Sequence, residues 1–196
     1  MSDIVLVTII ITSATILLLL ILYGIIQRES PEKRAGRIGE ELVTSLIQDV
    51  LTNDDILLTN VPITINEQET ELDNLIINSK GIFIIEVKNY RGKLYGNEDD
   101  YEWTKVKVTE AGNAYQTAVK NPIKQVKRQV YLLSQYLKEQ KFHLWIDGYV
   151  FLVSNNSPVK SSYVLHSRKE IDMTIHGSTD KKIDGVTKER LFRLLS

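Results

Sequence analysis

The sequence predicts a mixed α/β sandwich built around a central β-sheet, preceded by one transmembrane helix. Three observations carry this expectation. Residues 4–26 form an uncharged apolar run. Beyond it the patterns alternate as helix, several strands, helix, strand. One strand, Ile82-Phe83-Ile84-Ile85, is apolar on both faces, which places it inside a sheet covered on both sides.

The run from Ile4 to Ile26 holds 23 residues, 16 of them Ile, Leu or Val. As a helix it would reach about 35 Å, against a hydrocarbon core of about 30 Å. Thr8, Thr12, Ser13 and Thr15 can return their hydroxyls to helix carbonyls, and Tyr23 falls where an interfacial aromatic belongs. A cleaved signal peptide would begin with basic residues and carry a shorter apolar stretch. Here Asp3 is the one side-chain charge before the run. Arg28, Lys33, Arg34 and Arg37 follow it and no Lys or Arg precedes it, so the positive-inside rule expects a single-pass protein of the cell membrane with its C-terminal domain in the cytoplasm. The lipid bilayer is then a partner through residues 4–26. Residues 27–35 read as a polar linker and 36–196 as one domain, long enough for a proper core.

Net charge is −1 over the 196 residues, so no global basic field drives nucleic-acid binding; local patches would have to do it. Cysteine is absent, which excludes disulfides, thiolate zinc sites and Cys nucleophiles. His143, His166 and His176 show no paired metal-ligand spacing, and no glycine-rich phosphate loop occurs.

Within the domain, Gly36–Leu51 reads as a helix with Leu42, Val43, Leu46, Ile47 and Val50 on one stripe. Ile56–Ile65 reads as a strand bent near Pro62. NEQET reads as a polar turn. Leu72–Ile77 and Ile82–Asn89 are strands joined through Asn78-Ser79-Lys80-Gly81. Leu94-Tyr95 and Tyr101–Val108 read as further strands, and Ala111–Thr117 is ambiguous. Asn121-Pro122 fits a helix start, Asn as cap and Pro in the first turn, with the helix running to about Gln140. Trp145–Val153 reads as a core strand, Glu170–Ile175 as a short strand and Thr187–Leu195 as a last helix.

Glu71, Asp73, Glu86 and Lys88 carry the chemistry. Side chains alternate along a strand, so Glu86 and Lys88 point the same way. A two- or four-residue loop centred on Ser79-Lys80 pairs residues whose numbers sum to 159, which sets Asp73 opposite Glu86; a three-residue loop would shift the register by one. Two such carboxylates repel unless a cation lies between them or one stays protonated. A hard divalent cation accepts an all-oxygen site and can activate water against a phosphodiester. The bland reading is a hairpin with an exposed charged face, but charges on a strand buried on both faces need a reason.

The stretch TELDNLIINSKGIFIIEVKNYRGKLYG resembles the signature of the nuclease-related domain family, of the PD-(D/E)XK, restriction-endonuclease-like superfamily. GRIGEELV upstream, Trp103 and NPIKQVKRQ downstream match its pattern, so the resemblance covers roughly residues 33–150. It implies a restriction-endonuclease-like three-layer fold and a nuclease acting on DNA or RNA with Mg²⁺ or Mn²⁺. It implies Asp73 and Glu86 as metal ligands, Glu40 as the first-helix carboxylate that completes or orients the site, Lys88 as the catalytic lysine and Gln125 as the helix glutamine facing it. Glu71 is a weaker candidate, one pair further along the strand. Plain alternatives stand beside these: Glu40 as a partner of the helix N-terminus, and Gln125 as an exposed helix residue.

Lys120, Lys124, Lys127 and Arg128 on one helix, with Arg91 and Lys93 after the central strand, are candidates for phosphate contacts. A solvated surface or contact with anionic lipid is the other reading of that helix face. For the whole chain, the alternative to a nuclease is a non-catalytic nucleic-acid- or protein-binding module tethered at the membrane.

Overall fold

The start of helix α1 (Pro31–Gln48) is set locally. Ser30 Oγ accepts the Lys33 N–H at 3.2 Å, with Pro31 next in sequence. This cap makes Pro31–Ala35 helical, so the described end of the expected 27–35 linker is part of α1. The computed structural model describes residues 7–8, 11–20, 29–109, 111–154, 159–178, 180 and 182–196. The chain divides into two units, residues 1–35 and 36–196.

In the first unit, residues 7–8 and 11–20 are helical, and Ile11 and Ile16 through Leu20 are exposed. The Thr12 and Thr15 hydroxyls donate to the Thr8 and Ile11 carbonyls at 3.0 and 2.9 Å. Among the described residues no helix is long and apolar enough to cross a membrane. The remainder of the expected 4–26 span, Tyr23 included, lies outside the described residues.

In the second unit a five-stranded mixed sheet has the order β1 (Ile56–Ile65), β2 (Gln68–Asn78), β3 (Gly81–Lys88), β7 (Ile146–Leu152), β8 (Val164–Leu165). The first three strands are antiparallel, and β3–β7 and β7–β8 are parallel. A separate antiparallel ribbon contains β4 (Lys93–Tyr95), β5 (Glu102–Val108) and β6 (Ala114–Lys120). Helix α2 (Pro122–Glu139) follows β6 directly, and α3 (Arg168–His176) and α4 (Gly185–Leu195) close the chain.

Two apolar clusters sit on opposite faces of the sheet. Ile82 and Ile84 of β3 pack with Ile123, Val126, Leu133 and Leu137 of α2 and with Leu191 and Leu195 of α4. Phe83, Ile85 and Val87 pack with Val43 and Ile47 of α1 and with Ile171 and Ile175 of α3. Burial of both faces explains why β3 is apolar without alternation. Leu42, expected on the α1 stripe, is 48% exposed instead.

Local chemistry explains where the structure departs from expectation. Asn66 and Glu67 have φ of 47° and 62°, so the β1–β2 hairpin turns on these two residues and Gln68-Glu69-Thr70 belong to β2, not to a five-residue turn. Glu170–Ile175 is helical, not extended. Ser167 Oγ accepts the Glu170 N–H at 3.3 Å as the N-cap, while Glu170 Oε2 accepts the N–H of the preceding His166 at 2.6 Å, and these two bonds start α3. Of the ambiguous stretch 111–117, residues 114–117 belong to β6 (Ala114–Lys120) and 111–113 to the turn before it.

Candidate functional site

The β2–β3 register pairs Ile77 with Ile82 and Asn74 with Ile85, so Ser79-Lys80 is a two-residue turn and the sum of 159 holds. Past Asn74 the ladder lapses. Asp73 Oδ2 accepts the Val87 N–H at 2.7 Å, a side chain standing where a backbone rung would be. On the other side, the β1–β2 pairing steps from Thr59–Asn74 to Val61–Leu72, skipping Asn60 and Asp73. Asn60 has φ of 53°, a left-handed conformation that Asn tolerates better than most residues. The sheet therefore loosens on both sides of Asp73, and a cleft of about 320 Å³ opens there, lined by Arg37, Glu40, Glu41, Thr44, Thr59, Asn60 and Asp73.

Glu86 is 1% exposed, yet its carboxylate is well supplied with donors. Lys88 Nζ and Gln125 Nε2 each donate to Oε1 at 2.5 Å, and Gln129 Nε2 donates to Oε2 at 2.6 Å. Residues i and i+4 share a helix face, so α2 presents both glutamines together. The helix itself is held by Asn121. Its Oδ1 accepts the Ile123 N–H at 2.9 Å, and its Nδ2 donates to the Glu98 and Asp100 carbonyls at 2.9 and 2.7 Å.

Charge follows this geometry. Burial raises the Asp73 carboxyl, the Glu86 charge raises it further, and the Val87 amide and Lys88 oppose them; the result is a pKa pushed up to about 7. Glu40 adds a smaller upward push, so it is near enough to be felt. For Lys88, burial works against the charge, but the Glu86 carboxylate outweighs it and holds the ammonium above its ordinary value. Lys88 is therefore a fixed cation at neutral pH.

Gly39 brings Glu40 to the cleft. A Cβ at Gly39 would lie 2.7 Å from Asn89 Cβ, so only glycine lets α1 approach the end of β3 this closely. Glu41, which also lines the cleft, pairs with Arg37 at 2.7 Å. Glu71 offers the site its backbone, its carbonyl accepting from Gln129 Nε2 at 3.0 Å, while the residue itself is exposed.

The structure thus brings Asp73, Glu86, Lys88 and Gln125 together, with Glu40 across the cleft. Gln129 escaped the sequence reading, although its i+4 spacing from Gln125 was the available signal. Its Oε1 is buried without a hydrogen-bond partner among the described residues. No three acidic or histidine side chains of the described residues are gathered closely enough to hold a metal ion. What the site offers a hard cation is a pair, Asp73 and Glu86, whose repulsion a cation would relieve. Such ions bind through one or two carboxylates and keep several waters, so the donor set fits.

The other candidates fall outside this cluster. Lys127 is engaged elsewhere, 2.9 Å from Glu98 Oε1 and 4.3 Å from the Tyr163 ring centroid. Arg128 donates to Gln68 Oε1 at 3.2 Å. Lys120, Lys124, Arg91 and Lys93 are exposed. Trp103 is buried in the core, with Nε1 donating to the Asn97 carbonyl.

No solved structure matches the chain. An uncharacterized protein of Bacillus anthracis is 28% identical over 123 residues, which is 62% of this chain; the chain spans 57% of that relative's length. The family model described as "Nuclease-related domain", whose general kind is the PD-(D/E)XK superfamily, matches residues 35–153. That match covers more than half of the 196 residues and includes Glu40, Asp73, Glu86, Lys88 and both glutamines: the chain belongs to the nuclease-related domain family.

Proposed function

We propose that this chain is a membrane-anchored nuclease of restriction-endonuclease-like, three-layer fold that hydrolyses phosphodiester bonds of DNA or RNA at the cytoplasmic face, using Mg²⁺ or Mn²⁺. The observation that carries the reading is Asp73, bonded to the Val87 amide just past the end of the β2–β3 ladder, close enough to feel the charge of Glu86, which is itself ion-paired with Lys88. The family match supports nucleic acid as the substrate class. The apolar run at 4–26 and the basic residues after it support the anchor and its orientation.

In this reading Asp73 and Glu86 hold the cation, and Glu40 completes or orients the site from across the cleft. Gln125 and Gln129 fix the Glu86 carboxylate through both its oxygens. Lys88 faces the phosphate and stabilises the negative charge that grows on it as water attacks. Its ammonium, 2.5 Å from Glu86 Oε1, is the cation of the site in this reading. A bound divalent cation supplies Lewis acidity and a water of lowered pKa. The test is cleavage by the purified chain, with Mg²⁺, of single- and double-stranded DNA and RNA. Asp73→Asn should abolish it, and cleavage that survives this change would show that the activity lies elsewhere. Protease accessibility of the domain in intact cells tests the orientation.

One observation favours the second reading, a non-catalytic binding module at the membrane: three side-chain donors already occupy the Glu86 carboxylate. Calorimetric titration with Mg²⁺ separates the two. No heat at millimolar concentration would favour the binding module.

A further inference from the structure

We infer that one face of the β5–β6 ribbon is the track along which a single-stranded segment of nucleic acid reaches Lys88; this rests on the nuclease reading above. Lys105 pairs with Thr117 and Lys107 with Tyr115. Directly opposed residues share a face, and alternate residues along a strand do too, so these four side chains form one strip. Towards the core the same face ends in Trp103, which is buried. Glu102 projects from the opposite face, so the strip carries two lysines and no carboxylate from either strand. Lys107 has no acidic partner among the described residues, and Tyr115 is 57% exposed.

The strip is continuous with the site. Lys105 Nζ lies 5.9 Å from the centroid of the Tyr90 ring. The Tyr90 phenol is in turn close enough to Lys88 and Glu86 to feel both charges. The order Lys88, Tyr90, Lys105, Lys107–Tyr115 thus leads outward from the scissile position. Alternating cations and an exposed aromatic ring suit a strand whose phosphates are neutralised and whose bases stack. In a duplex the bases are already paired and stacked, so Tyr115 would have nothing to hold. That difference selects a single strand as the occupant.

The test is binding of a fluorescein-labelled oligothymidylate and of a blunt duplex to the full chain, in EDTA so that neither is cut. The single strand is expected to bind more tightly. Tyr115→Ala should weaken it by about tenfold, the effect of losing one stacked base. Lys107→Gln should lower the slope of log affinity against log salt by about 0.7, one phosphate contact, and Lys107→Arg should restore it. Unchanged affinity in both ribbon variants at unchanged melting temperature would overturn the track. So would an equal loss on the duplex. Cleavage that depends on Asp73 but not on the ribbon would leave the nuclease reading standing without the track. Ribbon-dependent binding without cleavage would do the reverse.

Discussion

Asp73 and Val87 are joined by a carboxylate-to-amide hydrogen bond of 2.7 Å that takes the place of a rung in the β2–β3 ladder. The candidate site is therefore part of the sheet's own bonding. This separates two substitutions that a purely catalytic view would equate. Asp73→Asn keeps an acceptor for Val87 and is expected to melt within a few degrees of the parent while losing metal-dependent cleavage. Asp73→Ala leaves a buried amide without a partner and should cost a further 1–3 kcal/mol or so in chemical denaturation.

The raised Asp73 carboxyl makes stability depend on pH with a definite sign. Its folded pKa of about 7 stands above the ordinary 3.8, so the folded chain binds the extra proton between those values. Its contribution to stability therefore falls as pH rises from about 4 to about 7, by up to about 1.4 kcal/mol per pH unit. Asp73→Asn should remove that slope, seen as the difference between the two proteins' melting curves across the window. Added Mg²⁺ should flatten the parent's slope if the cation relieves the Asp73–Glu86 repulsion.

Gln129 holds the second oxygen of a buried carboxylate. Gln129→Leu is expected to destabilise the fold by about 2 kcal/mol, because Glu86 Oε2 loses its donor. Gln129→Glu should be worse, since it sets a second carboxylate against the first. Urea denaturation of the three proteins gives the ranking, and a neutral effect of Gln129→Leu would mean that another donor replaces it.

Gly39→Ala tests whether the approach of α1 sets the position of Glu40. The new methyl would meet Asn89 Cβ at 2.7 Å, so the helix must shift outward. Overpacking of this kind costs about 1–3 kcal/mol, and the expected signature is a loss of cleavage larger than that of Glu40→Gln. Equal losses would show that Glu40 alone matters there.

His176 supplies a second pH dependence, remote from the cleft. Its Nδ1 lies 2.7 Å from Asp172 Oδ1 and its Nε2 3.0 Å from Asp55 Oδ2. Both carboxylates only accept, so the ring serves both as imidazolium. Burial opposes its charge, but the two aspartates outweigh this and raise its pKa above 6.5. Its contribution is full below about pH 6.5 and is lost as pH rises through the folded value. The melting difference between the parent and His176→Gln should shrink from pH 6 to pH 9.

Much of this architecture is legible in the sequence because its signals are local. The Asn121-Pro122 start of α2 and the two-residue turn that sets the β2–β3 register need only neighbouring residues. Strand β6 escaped because nearly all of its side chains are exposed, leaving no alternation to read. Helix α3 was misread because Glu170–Ile175 alternates polar and apolar residues like a strand, while the Ser167 cap that decides the matter lies just before it. The Asn60 kink depends on contacts across the sheet, which no window of sequence contains, whereas the i+4 spacing of Gln129 from Gln125 was there to read.

The two glutamine bonds to Glu86 span 39 and 43 residues of chain. A ribosome releasing this protein exposes Asp73, Glu86 and Lys88 well before α2 has emerged to clasp them. The clasp forms only after the intervening ribbon has also left the exit tunnel. Competence at this centre thus arrives late in synthesis, which would withhold any cutting from a half-made chain.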